Sequence, residues 1–261
     1  MGSGGYLWGA SRRLVRYIEA YGDGSPALPS KGGDADLGAA AVASRPLGGL
    51  TLLELGSGTG GMGLAAAVLG ANVTLSDQDS YIYPGGLQRK QPTHTLLDLA
   101  RENVRQNAPM LTKCAHYNAI AAADAATSAA DAPQISGADI SHVTIAPSRA
   151  PSGSVPLPVV ARLLWGDADD HAALPHAKYD IIAGADVLLF TSAHEDLLRT
   201  LRTLSTVSTV VLLEHTDRGN ETDEYPCDML HFLQLVDAEG LWKPTVVRDL
   251  GRHITIRMVF A

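Results

Sequence analysis

The feature that most constrains this chain is a run of glycines placed directly after a short apolar segment. Thr51-Leu52-Leu53-Glu54-Leu55 reads as a buried strand, Gly56-Ser57-Gly58-Thr59-Gly60-Gly61 as a tight turn, and residues 63–69 as the helix that follows. Glycines at such a junction let the backbone approach a ligand, and the amides freed there point into the crevice at the carboxyl edge of a sheet. Asn72-Val73-Thr74-Leu75-Ser76-Asp77 supplies a second strand, ending in a carboxylate 19 residues beyond Gly58. That spacing suits hydrogen bonds from ribose hydroxyls to Asp77.

The rest of the chain continues in strand and helix units. Residues 9–21 place Leu14, Val15 and Ile18 on one face and Arg12, Arg13, Arg16 and Glu19 largely on another, as an amphipathic helix does. Gly22 to Pro26 ends it, and the stretch to Arg45 reads as loop with a short helix near residues 37–43. A helix is expected over residues 93–107, stopping before Pro109. Residues 113–156, rich in Ala, Ser and Pro, have the composition of a low-complexity insertion within the domain. Strands are expected over residues 159–164, 179–185 and 207–213, the first two separated by a polar turn, with helices over 193–205 and 227–239. Residues 246–247 and 254–260 alternate as half-exposed strands, and the short link Asp249-Leu250-Gly251-Arg252 forces them into an antiparallel hairpin. The earlier strands, joined through helices, should be parallel.

These units predict one α/β domain over residues 1–261, with residues 1–48 as an N-terminal helix and loop. A formal charge of −8 argues against a surface built to neutralise nucleic-acid phosphates. Cys114 and Cys227 match no zinc spacing and read as reduced thiols, the histidines form no metal motif, and no apolar run is long enough to cross a bilayer. The expectation is a soluble monomer, cytoplasmic or nuclear, with no bound metal, no membrane and no nucleic-acid partner.

Gly56, Gly58 and Gly61 also satisfy the dinucleotide fingerprint, so the turn alone fits either a dinucleotide or S-adenosylmethionine. Glu54, two residues before Gly56, favours the second, because an acidic group attracts an ammonium and a sulfonium and repels a pyrophosphate. The helix ahead of the first strand and the terminal hairpin point the same way by analogy of fold.

Several segments together resemble the seven-β-strand, class I methyltransferases of family 16, which modify mainly lysines in proteins. They are Leu7-Trp8-Gly9-Ala10, residues 52–61 and 73–77, Asn103 to Asn107, Leu163-Leu164-Trp165-Gly166-Asp167, and Tyr179 to Val187, in the family's order. The resemblance covers most of the chain except the insertion. It implies a Rossmann-like mixed seven-stranded sheet with helices on both faces and a C-terminal antiparallel hairpin. It also implies S-adenosyl-L-methionine as cofactor, with Trp8 and Trp165 flanking it. Glu54, Gly56, Ser57, Gly58, Thr59 and Gly60 would hold its methionine end and Asp77 its ribose, with Gln78 and Ala185 beside them. Because family members carry further structure before the Leu-Trp step, Met1-Gly2-Ser3-Gly4-Gly5 reads as a vector remnant or a truncated start.

Asp186 follows an apolar strand at the edge where ligands bind, which makes it the candidate catalytic carboxylate. A carboxylate there can orient an incoming amine and accept its proton. Where family members carry Asp-x-x-Tyr this chain reads Asp186-Val187-Leu188-Leu189-Phe190, so Leu189 replaces the tyrosine and Phe190 is left to supply an aromatic wall. Trp242 matches no family position and is assigned to the core, whereas Arg218 lies in the loop expected after the fifth strand, beyond Glu214. The expected function is methyl transfer to a protein amine, with lysine, the family's usual acceptor, as the first expectation. The alternatives are another side chain, a small amine, a catalytically silent binding module or an NAD-dependent dehydrogenase.

Overall fold

The computed structural model describes residues 9–21, 47–82, 94–130, 156–216 and 229–261. Its elements run α1 (Gly9–Tyr21), β1 (Thr51–Leu55), α2 (Gly61–Val68), β2 (Asn72–Asp77), β3 (Tyr81–Ile82), β4 (His94–Thr95), α3 (Leu96–Ala130), β5 (Val159–Arg162), α4 (Ala168–Ala173), β6 (Tyr179–Ala185), α5 (His194–Leu204), β7 (Ser205–Thr216), α6 (Met229–Glu239), β8 (Trp242–Asp249) and β9 (His253–Phe260). Seven strands form one sheet in the order β5-β2-β1-β6-β7-β9-β8. The first five are parallel, and β9 runs antiparallel to both β7 and β8. The expected mixed sheet with a C-terminal hairpin is thus present, and β3 and β4 make a separate small pair.

Alternation along each central strand explains why helices cover both faces. In β1, Leu53 and Leu55 enter one core and Leu52 the other; in β6 Ile182 opposes Ile181 and Ala183, and in β7 Val211 and Leu213 oppose Val210 and Leu212. A strand buried on both sides is apolar along most of its length, as the centres of these are, with Glu54 in β1 and Glu214 in β7 as buried polar exceptions. Leu14, Tyr17 and Ile18 of α1 and Met62 and Ala66 of α2 close one face. Leu197, Leu198 and Leu201 of α5 and Phe232 and Val236 of α6 close the other. Trp242 joins that second core, 4% exposed and packed at a tilt against Phe260 with ring centroids 4.2 Å apart.

Several details differ from the sequence expectation. Helix α3 does not stop at Pro109 but continues to Ala130; a proline lacks one amide, a local loss that the alanine-rich sequence beyond it offsets through high helix propensity. The polar turn after β5 is the helix α4, capped by Asp167, whose carboxylate accepts the Asp169 and Asp170 amides at 3.0 Å. Strand β7 extends to Thr216, so Glu214 and His215 lie buried in the sheet and not in a loop. Arg13 turns inward, which periodicity alone could not show, because its partner Glu214 is 201 residues away. The short helix near residues 37–43, Cys227 and Arg218 lie outside the described residues.

Candidate active site

The glycine turn forms because the chain must leave β1 and re-enter α2 within a few residues. Gly56, Gly58 and Gly60 have φ of 57°, 51° and 74°, in the left-handed region that side chains avoid. At Gly56 a Cβ would also meet Val187 Cγ1 at 3.2 Å. The close helix-to-sheet approach falls to Gly63, where a Cβ would lie 2.2 Å from Leu75 Cδ2, 2.7 Å from Glu54 Oε2 and 3.0 Å from Val73 Cγ1.

Two buried carboxyls hold the turn from below and beside it. Asp77 Oδ2 accepts the Gly58 amide at 2.8 Å, so the end of β2 is tied to the middle of the turn. Burial raises its pKa to about 6, against the opposing pull of the Gly58 and Gln78 amides. Glu54 Oε2 accepts the Gly63 amide at 2.9 Å and the residue is 2% exposed. Burial raises it to about 8, with Asp77 nearby adding to the rise and the Gly63 amide opposing it.

A cavity of about 310 Å³ opens where four strand ends meet. Its wall contains Gly56, Ser57, Gly58 and Thr59 after β1, Asp77 and Gln78 at the end of β2, Leu163 to Trp165 after β5, and Ala185 and Asp186 after β6. These are the carboxyl ends of neighbouring parallel strands on both sides of β1, where the winding direction reverses and open α/β sheets bind ligands. Ser57 is 7% exposed, and its hydroxyl has no hydrogen-bond partner among the described residues. A buried hydroxyl left unpaired in a cavity wall is a standing offer to a polar ligand.

Asp186 is 7% exposed and has φ of 56°, a left-handed conformation that aspartate tolerates. Its Oδ1 accepts the Thr216 amide at 2.8 Å, and the Thr216 hydroxyl lies 3.4 Å from Oδ2. Behind it, His194 Nε2 meets the Leu188 carbonyl at 3.2 Å and its Nδ1 lies 3.0 Å from His231 Nδ1, fixing the segment that carries Leu189 and Phe190 along the cavity.

Of the residues singled out by sequence, the cavity gathers Gly56, Ser57, Gly58, Thr59, Asp77, Gln78, Trp165, Ala185 and Asp186. It does not gather Glu54, whose carboxyl is turned under the helix onto Gly63, nor Gly60, whose α-carbon faces Leu75. Glu54 is set on the Gly63 amide under the helix, where burial raises its pKa to about 8 and favours the protonated form at neutral pH. Trp8 lies outside the described residues. Sequence reasoning missed Ser11, Ser80, Leu96 and Asp196 on the wall. Only Ser11 had a signal, its position just after the Leu-Trp-Gly-Ala step.

The sheet order, the glycine turn and the cavity outside the strand ends define a Rossmann-like protein of the seven-stranded, cofactor-binding kind. A model of the lysine methyltransferase family matches residues 1–84 and 143–232, more than half of the sequence, and the chain belongs to that family. It is 28% identical over 167 residues to the protein N-lysine methyltransferase METTL21A of Danio rerio, covering 64% of this chain and 50% of that protein. The Mus musculus protein of the same name is 27% identical over the same shares. The chain therefore spans about half the length of the curated relatives it matches. Among solved structures, the magnesium protoporphyrin IX methyltransferase of Synechocystis PCC 6803 with bound SAM aligns over 98% of this chain and 99% of its own, at 12% identity and TM-score 0.43. That likeness is too distant to bear on chemistry.

Proposed function

We propose that this chain is an S-adenosylmethionine-dependent N-methyltransferase acting on a protein amine, lysine first. The observation that carries the reading is that one cavity joins the glycine turn, Asp77 and Asp186. Membership of the lysine methyltransferase family and similarity to protein N-lysine methyltransferases support the same chemistry and a protein acceptor.

The wall residues fit the cofactor. The unpaired Ser57 hydroxyl and the turn of Gly56, Gly58 and Thr59 would hold its methionine end, and Asp77 the ribose hydroxyls. Gln78, Leu164 and Trp165 offer an apolar and aromatic slot for the adenine, with Ala185 along the floor. Trp8 keeps the cofactor-flanking role the family resemblance implies. Glu54 and Gly60 shape the turn without touching the ligand. When bound, S-adenosylmethionine supplies an electrophilic methyl group and leaves as S-adenosylhomocysteine. Asp186 accepts a hydrogen bond and then the proton from the incoming ammonium, so that the nitrogen lone pair is free and aligned. Leu163, Leu189, Val187 and Phe190 exclude water around that nitrogen.

Leu189 in place of the family tyrosine supports a second reading of the acceptor, in which another side-chain nitrogen or a small amine takes the methyl group. No helix among the described residues is long and apolar enough to cross a membrane. Cys114 is a free thiol among the described residues, which fits a reducing compartment, and we propose the cytoplasm before the nucleus and a monomer.

Calorimetric titration tests the cofactor: S-adenosylhomocysteine should bind and NAD should not. A cell lysate incubated with the protein and tritium-labelled cofactor tests the activity, with label expected in protein and lost on Asp186→Ala. Binding of NAD with no binding of S-adenosylhomocysteine would refute the reading.

A further inference from the structure

Helix α1 brings a guanidinium to the back of the active site. Arg13 Nε donates to Glu214 Oε1 at 2.5 Å, and its Nη2 donates to the Thr216 hydroxyl at 2.8 Å. Thr255 occupies the other oxygen of Glu214 through its own hydroxyl. Glu214 is 1% exposed and the Arg13 side chain 18%, so this is an ion pair held inside the protein with its carboxylate saturated on both sides. A guanidinium fork gripped at two of its nitrogens is fixed in plane as well as in position.

The consequence passes through Thr216. Its hydroxyl has one hydrogen. With a lone pair occupied by Arg13, that hydrogen is directed at Asp186 Oδ2, while the Thr216 amide holds Oδ1. The same helix, two residues earlier, places Ser11 on the cavity wall. We propose that Arg13 is a positioning residue for methyl transfer: acting through the Thr216 hydroxyl, it sets the orientation of the Asp186 carboxylate. This rests on the assignment of Asp186 as the carboxylate that meets the acceptor amine. A lysine at position 13 keeps the charge but gathers its donors on one atom, and cannot span Glu214 and Thr216 in the same way.

The test compares the wild-type chain with Arg13→Lys, Thr216→Val, Thr216→Ser, the double variant Arg13→Lys/Thr216→Val, and Asp186→Ala. S-adenosylhomocysteine affinity is read by calorimetry, the rate of label transfer into lysate protein at saturating S-adenosylmethionine, the thermal midpoint by melting, and the Asp186 rotamer by crystallography. Arg13→Lys and Thr216→Val should bind S-adenosylhomocysteine within about threefold of wild type yet lose about tenfold in saturating rate, with the Asp186 carboxylate displaced. The double variant should lose no more than the worse single one, since both break one chain of contacts. Thr216→Ser should restore most of the rate that valine removes. Unchanged rates in Arg13→Lys and Thr216→Val would overturn the proposal, as would rate, affinity and melting midpoint falling together. If Asp186→Ala is inactive while those two variants match wild type, only the positioning role fails. If Asp186→Ala itself keeps the rate, the assignment of Asp186 fails with it.

Discussion

The Thr216 amide donates to the Asp186 side chain at the step where a parallel ladder would use the Asp186 carbonyl. One rung earlier the pairing is regular, with the Asp186 amide donating to the Glu214 carbonyl at 2.8 Å. The next rung is made by the carboxylate Oδ1, also at 2.8 Å. The left-handed φ of Asp186 turns its backbone out of the sheet, and the side chain takes over the carbonyl's place. Asp186 therefore both ends β6 and presents a carboxylate to the cavity.

These two duties separate in one substitution. An asparagine side chain at this position would keep an oxygen for the Thr216 amide and lose the charge. Asp186→Asn should therefore fold, with a melting midpoint within a few degrees of wild type, and bind S-adenosylhomocysteine normally. Its transfer rate should fall on the order of a hundredfold. Full activity in this variant would leave Asp186 with only its structural duty.

The acidity of Asp77 fixes a pH window for cofactor binding. In the proposed pose the ionised carboxylate would accept ribose hydroxyls, and burial raises its pKa to about 6 from the ordinary 3.8. Titrations of S-adenosylhomocysteine between pH 5 and 8 should show affinity falling as pH drops through about 6. Asp77→Asn should bind about tenfold more weakly at pH 8 and lose that dependence. An affinity constant down to pH 5 would contradict the assignment.

Glu54 carries the opposite consequence for stability. Its folded pKa of about 8 exceeds the ordinary 4.5, so between these values the folded state holds a proton that the unfolded state has released. Stability contributed by the protonated group is full below pH 4.5 and is lost as pH rises toward 8. Glutamine accepts the Gly63 amide equally well without ionising. Glu54→Gln should therefore gain on wild type as pH rises, by on the order of a few kcal/mol at pH 8, with the gap closing below pH 5. Melting curves across that range check it, and parallel curves would refute it.

Gly63 is the close-packing point between α2 and the sheet. Alanine favours helices over glycine by about 0.5–1 kcal/mol, but its methyl would meet Leu75, Glu54 and Val73. The crowding should win, and Gly63→Ala should destabilise by about 1–3 kcal/mol in urea unfolding. In a Leu75→Ala background, itself destabilised by the cavity it opens, Gly63→Ala should cost less than it does in wild type if crowding is the cause.

Local pattern carried most of the fold. Apolar and β-branched residues at the centres of β1, β2 and β6, bounded by glycine or by a terminal polar residue, marked these strands to the residue. The glycine turn, Asp77 and Asp186 were legible for a related reason: each lies at or one step beyond the end of such a strand. What stayed hidden depended on distant partners. Glu54 reads as an acid beside a turn, and only its contact with Gly63 under the helix shows that it faces away from the cavity. Arg13 reads as one more cation on a polar helix face, since nothing within its own turn announces Glu214. Ser80 and Asp196 join the wall only after the chain has folded back on itself.

The pairing of α1 with β7 also sets an order in time. Arg13 emerges early in synthesis, but Glu214 is made 201 residues later. At about 5–20 residues per second this is a wait of roughly 10–40 s. Until then the helix that carries Ser11 has only α2 and the first strands to rest against, and the back of the active site stays open. The nascent protein can thus assemble its glycine turn well before it can lock the Asp186 carboxylate at the cavity.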